Sequence, residues 1–145
     1  MPERQVKRQI FVALSLIINE RGEILMGKRH DPKNFGMHGR WEFPGGKVEF
    51  GEHPEKTVVR EAQEEVALTI AVDQILNIYS WFHPNRPHIQ VVLMVYITHP
   101  TKSSEQAKPN CREVSEVAWK TIDEALKMNV IDNNKAILRD LKKAL

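Results

Sequence analysis

A glycine-rich turn followed by an acidic helical segment is the feature of this chain that most restricts how it can fold. The turn is Gly45-Gly46, and glycine permits backbone angles and close approaches that other residues resist. Pro54 then begins a segment whose apolar residues recur at helical spacing, and proline suits a first helical turn. We therefore expect residues 54–66 to form a helix, with a short strand at residues 41–43 leading into the turn.

Three glutamates of this predicted helix share one side of it. Glu61, Glu64 and Glu65 lie at positions i, i+3 and i+4. Like charges at this spacing destabilise a helix by about 0.2–0.5 kcal/mol per pair, and Arg60 offsets only part of the repulsion. A hard dication reverses the balance, because magnesium prefers oxygen ligands and commonly bridges carboxylates to substrate phosphates. The alternative is an acidic helix face that is simply solvated.

The remaining segments predict strands on either side of the helix. Residues 9–18 and 23–29 have the pattern of two strands joined by a polar turn, which predicts a hairpin. Apolar, β-branched and aromatic residues predict paired strands at 69–82 and 88–98, and a further strand at 113–119. The polar connections are expected at residues 30–40 and 100–111, the second of them mobile.

Two helices are expected near the C-terminus. Thr121 and Glu124 have the spacing of a capping box, which predicts a short helix through about Met128. A last helix begins at about Asn133, with an apolar face that includes Ile137 and Leu141. This order of strands and helices predicts a mixed sheet covered on both faces.

Size and composition narrow the class of protein. At 145 residues the chain has the size of one domain, so residues 1–145 are expected to form a single domain. With 41% hydrophobic residues, 28% charged residues and a net charge of +2, neither a membrane nor a nucleic-acid partner is indicated. The single cysteine, Cys111, excludes an internal disulfide and a thiolate zinc site. A cytoplasmic location and a monomer or homodimer are expected.

The acidic segment also resembles a known motif, the Nudix box. Gly46 is followed by five residues and Glu52, and seven residues later comes the run from Arg60 to Leu68, which contains all three glutamates. The departure is Ala67, where the family has a glycine. That glycine lets the chain leave the helix in a left-handed conformation, which costs alanine roughly 1 kcal/mol or more. Residues 41–68 and the order of elements resemble the MutT branch of the family.

The resemblance implies a fold, a reaction and a cofactor. The fold is α/β, the Nudix α/β/α sandwich with a central mixed β-sheet. The reaction is hydrolysis of a diphosphate linkage in a nucleotide, with Mg²⁺ as cofactor, or Mn²⁺ in its place. Arg60 would orient the glutamates. The metal ligands and their supports implied by the resemblance are Gly45, Glu52, Glu61, Glu64 and Glu65.

The general base stays open between several glutamates. Glu64 and Glu65 are candidates from the box itself. Glu113, six residues before Trp119, has the spacing of a late-loop glutamate in MutT-like proteins, and Glu116 is its nearby competitor. An alternative for Glu113 and Glu116 is that both are ordinary acids on a strand surface.

Substrate contacts carried over by the resemblance are Arg29, Phe43 and Asn134, which fall where MutT-like proteins surround the base and phosphates. An asparagine amide can both donate to and accept from a purine edge. Arg86, in the predicted turn between two strands, is a further candidate for a phosphate contact. The alternative for Asn134 is a structural one, a helix start capped by Asp132 or Asn133.

Three functions are compatible with these residues. The leading one is a nucleoside triphosphate pyrophosphohydrolase that releases a nucleoside monophosphate and pyrophosphate. Hydrolysis of ADP-ribose or another nucleoside diphosphate sugar is the alternative. It is favoured by Pro84, which lies sixteen residues past the box, close to where ADP-ribose hydrolases carry a proline. A Nudix module that binds a nucleotide without cutting it is the third, and the intact glutamates speak against it.

Overall fold

The computed structural model describes residues 5–145, apart from the side chain of Asp132. These residues form seven strands and three helices. The strands are β1 (Arg8–Ile17), β2 (Ile24–Arg29), β3 (Trp41–Glu42), β4 (Gly45–Lys47), β5 (Ile70–His83), β6 (Arg86–Pro100) and β7 (Val114–Lys120). The helices are α1 (Pro54–Val66), α2 (Ile122–Leu126) and α3 (Asp132–Ala144). The predicted helices and strands are confirmed, with small shifts at their ends, but Gly45 and Gly46, expected to form a turn, lie in β4 and pair with β1.

The strands form two sheets. A mixed sheet has the order β4-β1-β6-β5, in which β1 runs parallel to β6 and the other pairs are antiparallel. A second, antiparallel sheet has the order β3-β2-β7. The predicted mixed α/β architecture is confirmed.

The predicted hairpin between the first two strands is wrong. β1 and β2 lie in different sheets and share only an isolated bridge between Ile18 and Ile24. Each strand has a longer partner elsewhere, because β1 pairs with β6 over its whole length and β2 pairs with β7. Side chains on opposite faces of β2 also enter different cores, Met26 with α3 and Leu25 with α1.

Helices cover both faces of the mixed sheet. On one face, Val58 of α1 packs with Ala13, and Ala62 packs with Ile17 and Leu25. On the other face, the apolar stripe of α3 packs against alternate residues of β6, which are Leu93, Val95 and Ile97. Among the described helices, none combines the length and apolar character needed to cross a membrane.

The ends of α1 are defined by local chemistry. Pro54 occupies the first turn, and Nδ1 of His53 accepts a hydrogen bond from the N–H of Glu55 at 3.1 Å. Ala67 ends the helix in the left-handed conformation, with φ 60° and ψ 32°, and its N–H donates to the carbonyl oxygen of Ala62. An alanine therefore adopts the backbone angles for which the family uses glycine.

The connection between β6 and β7 is anchored, so the prediction that it is mobile does not match the structure. The N–H of Lys108 donates to the carbonyl oxygen of Val66 at 2.9 Å, and the N–H of Asn110 donates to that of Glu65 at 3.0 Å. Carbonyl groups in the last turn of a helix lack hydrogen-bond partners within the helix, so the N–H groups of this connection act as their donors.

The C-terminal helices differ in how they begin. The capping box of α2 is confirmed, since the N–H of Glu124 donates to Oγ1 of Thr121 at 3.2 Å and a reciprocal bond is present. α3 begins at Asp132, so the alternative of a helix start around Asn134 is confirmed, but the N-cap position is Ile131 rather than Asp132 or Asn133. The N–H of Ile131 donates to the carbonyl oxygen of Trp41 at 3.0 Å, which ties the start of α3 to β3.

Replacing Ala67 with glycine should stabilise the protein. Glycine adopts the left-handed conformation without the Cβ penalty, so the free energy of unfolding should rise by about 1 kcal/mol. Urea denaturation of the wild type and of Ala67→Gly measures the change. The matched control is Gly22→Ala, because Gly22 also has a positive φ of 75° and open space around it. That variant should lose a similar amount; a destabilised Ala67→Gly would contradict the interpretation.

Candidate active site

Carboxylates from α1 and from the residue before β7 meet beside Gly45 and Gly46. Glu61 and Glu65 lie one turn apart on α1, and Glu113 directly precedes β7. One oxygen of each of these three side chains lies within 4.8 Å of the other two. Within residues 5–145, no other set of three acidic, histidine or cysteine side chains comes close enough to share an ion.

The two glycines let the chain run directly against α1. A Cβ on Gly45 would clash with the carbonyl oxygen of Ala13, and a Cβ on Gly46 would lie 2.5 Å from Oε1 of Glu61. Without those atoms, the N–H of Gly45 reaches Oε1 of Glu65 and donates to it at 3.1 Å. Gly45 is therefore required by close packing against the backbone of β1, and Gly46 leaves room for the carboxylate of Glu61.

Glu65 is the buried member of the group. Only 5% of it is exposed, and burial raises the pKa of its carboxyl to about 9. A hydrogen bond with Glu61 and the charge of that neighbour add to the increase, while the N–H of Gly45 opposes it. Without a cation, this carboxyl therefore holds a proton at neutral pH.

Arg60 forms hydrogen bonds with Glu61 of the cluster and with two neighbouring glutamates. Its Nε and Nη2 donate to the two oxygens of Glu52 at 2.9 and 3.1 Å. Its Nη1 donates to Glu61 at 2.9 Å and to Glu64 at 3.3 Å. The bonds from Arg60 and Thr57 lower the pKa of Glu52 to about 2, so Glu52 stays ionised beside the guanidinium.

Two of the glutamates expected to bind metal therefore lie outside the cluster of Glu61, Glu65 and Glu113. Glu52 is bound to Arg60 and to the hydroxyl of Thr57 at 2.7 Å. The side chain of Glu64 is 53% exposed and faces Arg60. The convergence of three glutamates from α1 alone, which the sequence suggested, is replaced by two from α1 and one from the start of β7.

A cavity of about 370 Å³ opens beside the cluster. Arg29 and Phe43, both expected at the site, line it, as do Asp31 and Glu42. Arg29 is held by these two carboxylates, with Nη2 at 3.1 Å from Oδ2 of Asp31 and Nη1 at 3.4 Å from Oε2 of Glu42. Burial raises the pKa of Glu42, and the charge of Arg29 opposes that shift.

Asp31 and Glu42 were missed by reasoning from sequence. Asp31 lies two residues after Arg29, at the start of the connection expected at residues 30–40. Glu42 precedes Phe43 in the short strand before the glycine turn. A carboxylate inside a short strand that leads into such a turn is the signal that could have identified it.

Two expected substrate contacts do not line the cavity. Arg86 is exposed at the start of β6, beyond the turn that joins it to β5. Asn134 lies in the first turn of α3 and is 4% exposed, and within the described part of the chain its Nδ2 has no hydrogen-bond partner. The structure therefore brings Arg29 and Phe43 to the carboxylates and leaves Arg86 and Asn134 apart from the cavity.

The donor set suits a hard divalent cation. Three carboxylates crowd together beside a glycine backbone, and a proton is retained on Glu65 when no cation is present. Oxygen ligands of this kind are those that Mg²⁺ prefers. Glu61, Glu65 and Glu113 are therefore the residues that fit such an ion.

Comparison with known proteins places this arrangement in context. The NUDIX domain model matches residues 8–141. The 8-oxo-dGTP diphosphatase of Proteus vulgaris is 30% identical over 106 residues, which cover 73% of this chain and 91% of that protein. The ADP-ribose pyrophosphatase of Methanocaldococcus jannaschii is 41% identical over 87 residues, which cover 59% of this chain and 48% of that protein.

A solved structure is also similar in fold. The crystal structure of the MutT protein from Methanosarcina mazei Go1 matches this chain with a TM-score of 0.80. The match covers 97% of this chain and 98% of that one at 24% sequence identity, so it concerns the fold.

Glu65→Gln should stabilise the metal-free protein at alkaline pH. The pKa of Glu65 rises on folding from 4.5 to about 9, so the folded state binds the proton more tightly. The stabilisation that this proton provides is complete below about pH 4.5 and is lost as the pH rises toward 9. Glutamine is not subject to this loss, so at pH 8 the variant should be more stable than the wild type by at least about 1 kcal/mol.

Urea denaturation in EDTA at pH 5 and pH 8 measures this difference. The exposed Glu116 provides the control, because Glu116→Gln should leave the pH dependence unchanged. A Glu65→Gln protein that is no more stable than the wild type at pH 8 would contradict the raised pKa.

Proposed function

Because this chain belongs to the Nudix family of hydrolases, we propose that it hydrolyses the diphosphate linkage of a nucleotide with the help of a divalent metal, Mg²⁺ or Mn²⁺. The observation that carries the proposal is the convergence of Glu61, Glu65 and Glu113 within 4.8 Å, beside a cavity that contains Arg29. Carboxylates in this arrangement are suited to hold the cation that a polyphosphate requires.

The residues of the site divide the work. Bound metal would neutralise phosphate oxygens and lower the pKa of the attacking water. Glu61, Glu65 and Glu113 would hold it, with the carbonyl oxygen of Gly45 as a further ligand. Arg60 would keep Glu52 and Glu61 in position, since it donates to both at 2.9 Å.

The general base is proposed among Glu113, Glu64 and Glu65. Glu113 is supported by its place in the cluster and by its exposure, which lets water reach it. Glu65 is buried, so water reaches it less easily than Glu113, which suits a ligand better than a base. Glu64 lies outside the cluster and faces Arg60, so its role depends on a movement of its side chain.

A nucleoside triphosphate is the proposed substrate, with a nucleoside monophosphate and pyrophosphate as products. This is supported by the similarity to an 8-oxo-dGTP diphosphatase over 91% of that protein's length, which makes an oxidised nucleotide one candidate. Arg29 and Phe43 would contact the nucleotide inside the cavity. Asn134 and Arg86 do not line the cavity, so a contact from either to the nucleotide would require a rearrangement of the residues around it.

An ADP-ribose or other nucleoside diphosphate sugar hydrolase is the second candidate. It is favoured by the 41% identity to an ADP-ribose pyrophosphatase, although this chain spans only about half of that protein, and by Pro84. A nucleotide-binding module without activity would not need the carboxylate cluster.

We further propose that residues 1–145 act as one domain on a small nucleotide in the cytoplasm.

Product analysis separates these functions. The purified protein is incubated with Mg²⁺ and a panel of nucleoside triphosphates, 8-oxo-dGTP, ADP-ribose and nucleotide sugars. We expect pyrophosphate and a nucleoside monophosphate from triphosphates. A sugar phosphate from ADP-ribose would instead support the second candidate. Nucleotide binding without turnover of any compound would overturn both and leave the binding module.

Glu113→Gln should lower kcat by about 100-fold or more if Glu113 is the base, because general base catalysis contributes about 10²–10⁴ in rate. Glu116, the competing late acid, lies on β7 outside the cluster with its carboxylate 4.0 Å from Lys28, so Glu116→Gln is the matched control and should change kcat by less than about twofold. Glu64→Gln belongs in the same assay. A loss with Glu64→Gln and none with Glu113→Gln would transfer the role to Glu64.

A further inference from the structure

Asn110 forms hydrogen bonds with both elements that supply the carboxylate cluster. Its N–H donates to the carbonyl oxygen of Glu65 at 3.0 Å. Its Oδ1 accepts from the N–H groups of Arg112 and Glu113 at 3.0 Å each and of Val114 at 3.1 Å. One residue therefore joins the last turn of α1 to the start of β7.

The backbone of Glu113 is held on both sides by these contacts. Its N–H donates to Asn110, and its carbonyl oxygen accepts from the N–H of His30 at 2.8 Å, directly after β2. The side chain of Glu113 is exposed, so packing against neighbouring residues does little to fix its position. The position of the Glu113 carboxylate is therefore set mainly by how its backbone is anchored.

We propose that Asn110 is a positioning residue that holds Glu113 against Glu65, so that carboxylates from two separate elements can share one divalent metal. The proposal rests on the proposed function, because it assigns a role within the same cluster. Residues that orient metal ligands without touching the metal commonly contribute 10–100-fold to metal affinity or activity.

The choice of asparagine at this position supports the proposal. Its Nδ2 is buried without a hydrogen-bond partner among the described residues, which costs free energy. Aspartate would accept the same three N–H groups without burying that donor. It would also add a negative charge to an already acidic region, whereas the neutral amide holds the backbone without adding to the repulsion.

A second anchor of the same loop gives a matched control. Glu105 accepts from the N–H of Thr69 at 2.8 Å and from its hydroxyl at 3.0 Å, so it fastens the loop to the start of β5. Neither bond involves Glu65 or Glu113. Glu105→Ala should therefore loosen the loop without disturbing the cluster.

The test measures Mn²⁺ binding by electron paramagnetic resonance, a readout that needs no substrate. Asn110→Ala should weaken Mn²⁺ binding by about tenfold or more and lower kcat at saturating metal by a similar factor. Asn110→Asp keeps the acceptor and should retain Mn²⁺ affinity at least as high as the wild type. Glu105→Ala should remain within about threefold of the wild type. If Asn110→Ala does not fold, Asn110→Ser, which is too short to reach all three N–H groups, carries the same test.

A double-mutant cycle with Glu113→Gln separates positioning from general loop stability. If Asn110 acts through Glu113, Asn110→Ala should cause little further loss of Mn²⁺ affinity in the Glu113→Gln background. Equal losses in both backgrounds, or wild-type Mn²⁺ affinity in Asn110→Ala, would overturn the proposal. If the wild type hydrolyses none of the nucleotides, the Mn²⁺ measurements still decide it, so the two failures are distinguishable.

Discussion

Repulsion between carboxylates is the constraint on which the rest of this structure depends. Glu61, Glu65 and Glu113 bring three acidic groups within 4.8 Å, and like charges at that separation destabilise the folded chain unless something compensates. Glu61 is compensated by Arg60 at 2.9 Å, and Glu65 by a proton and by the N–H of Gly45. These contacts reduce the repulsion within the cluster, and the same three carboxylates fit a divalent cation.

The local structure around the cluster follows from the need to hold it. A Cβ at Gly45 would collide with the backbone of β1 and a Cβ at Gly46 with the carboxylate of Glu61, so the two glycines let β4 lie close to both β1 and α1. At the other end of α1, the loop after β6 binds the carbonyl oxygens of Glu65 and Val66. Membership in the Nudix family accounts for the acidic helix, while these contacts explain how this chain supports it.

Sequence patterns identified most of the elements, because hydrophobic periodicity and capping residues act over a few neighbouring positions. The helix that begins at Pro54 and the capping box at Thr121 are examples. The pairing of β1 with β2 in a hairpin was predicted wrongly, because strand pairing depends on partners far along the chain. In the structure, β1 pairs with β6. Ala67 is intermediate: the motif left the helix exit in doubt because alanine replaces the family's glycine there, and the structure shows that the chain still exits in the left-handed conformation, with φ 60°.

The sequence by itself determined which side chains are available for metal chemistry, because the spacing of Glu61, Glu64 and Glu65 puts all three on one side of a helix. Only the tertiary structure decided which of them face the cavity. Glu64 turns toward Arg60, and Glu113 takes a place beside Glu61 and Glu65. The physical reason is distance along the chain: helical spacing is a local property, whereas the meeting of α1 with the start of β7 requires the packing of the whole fold.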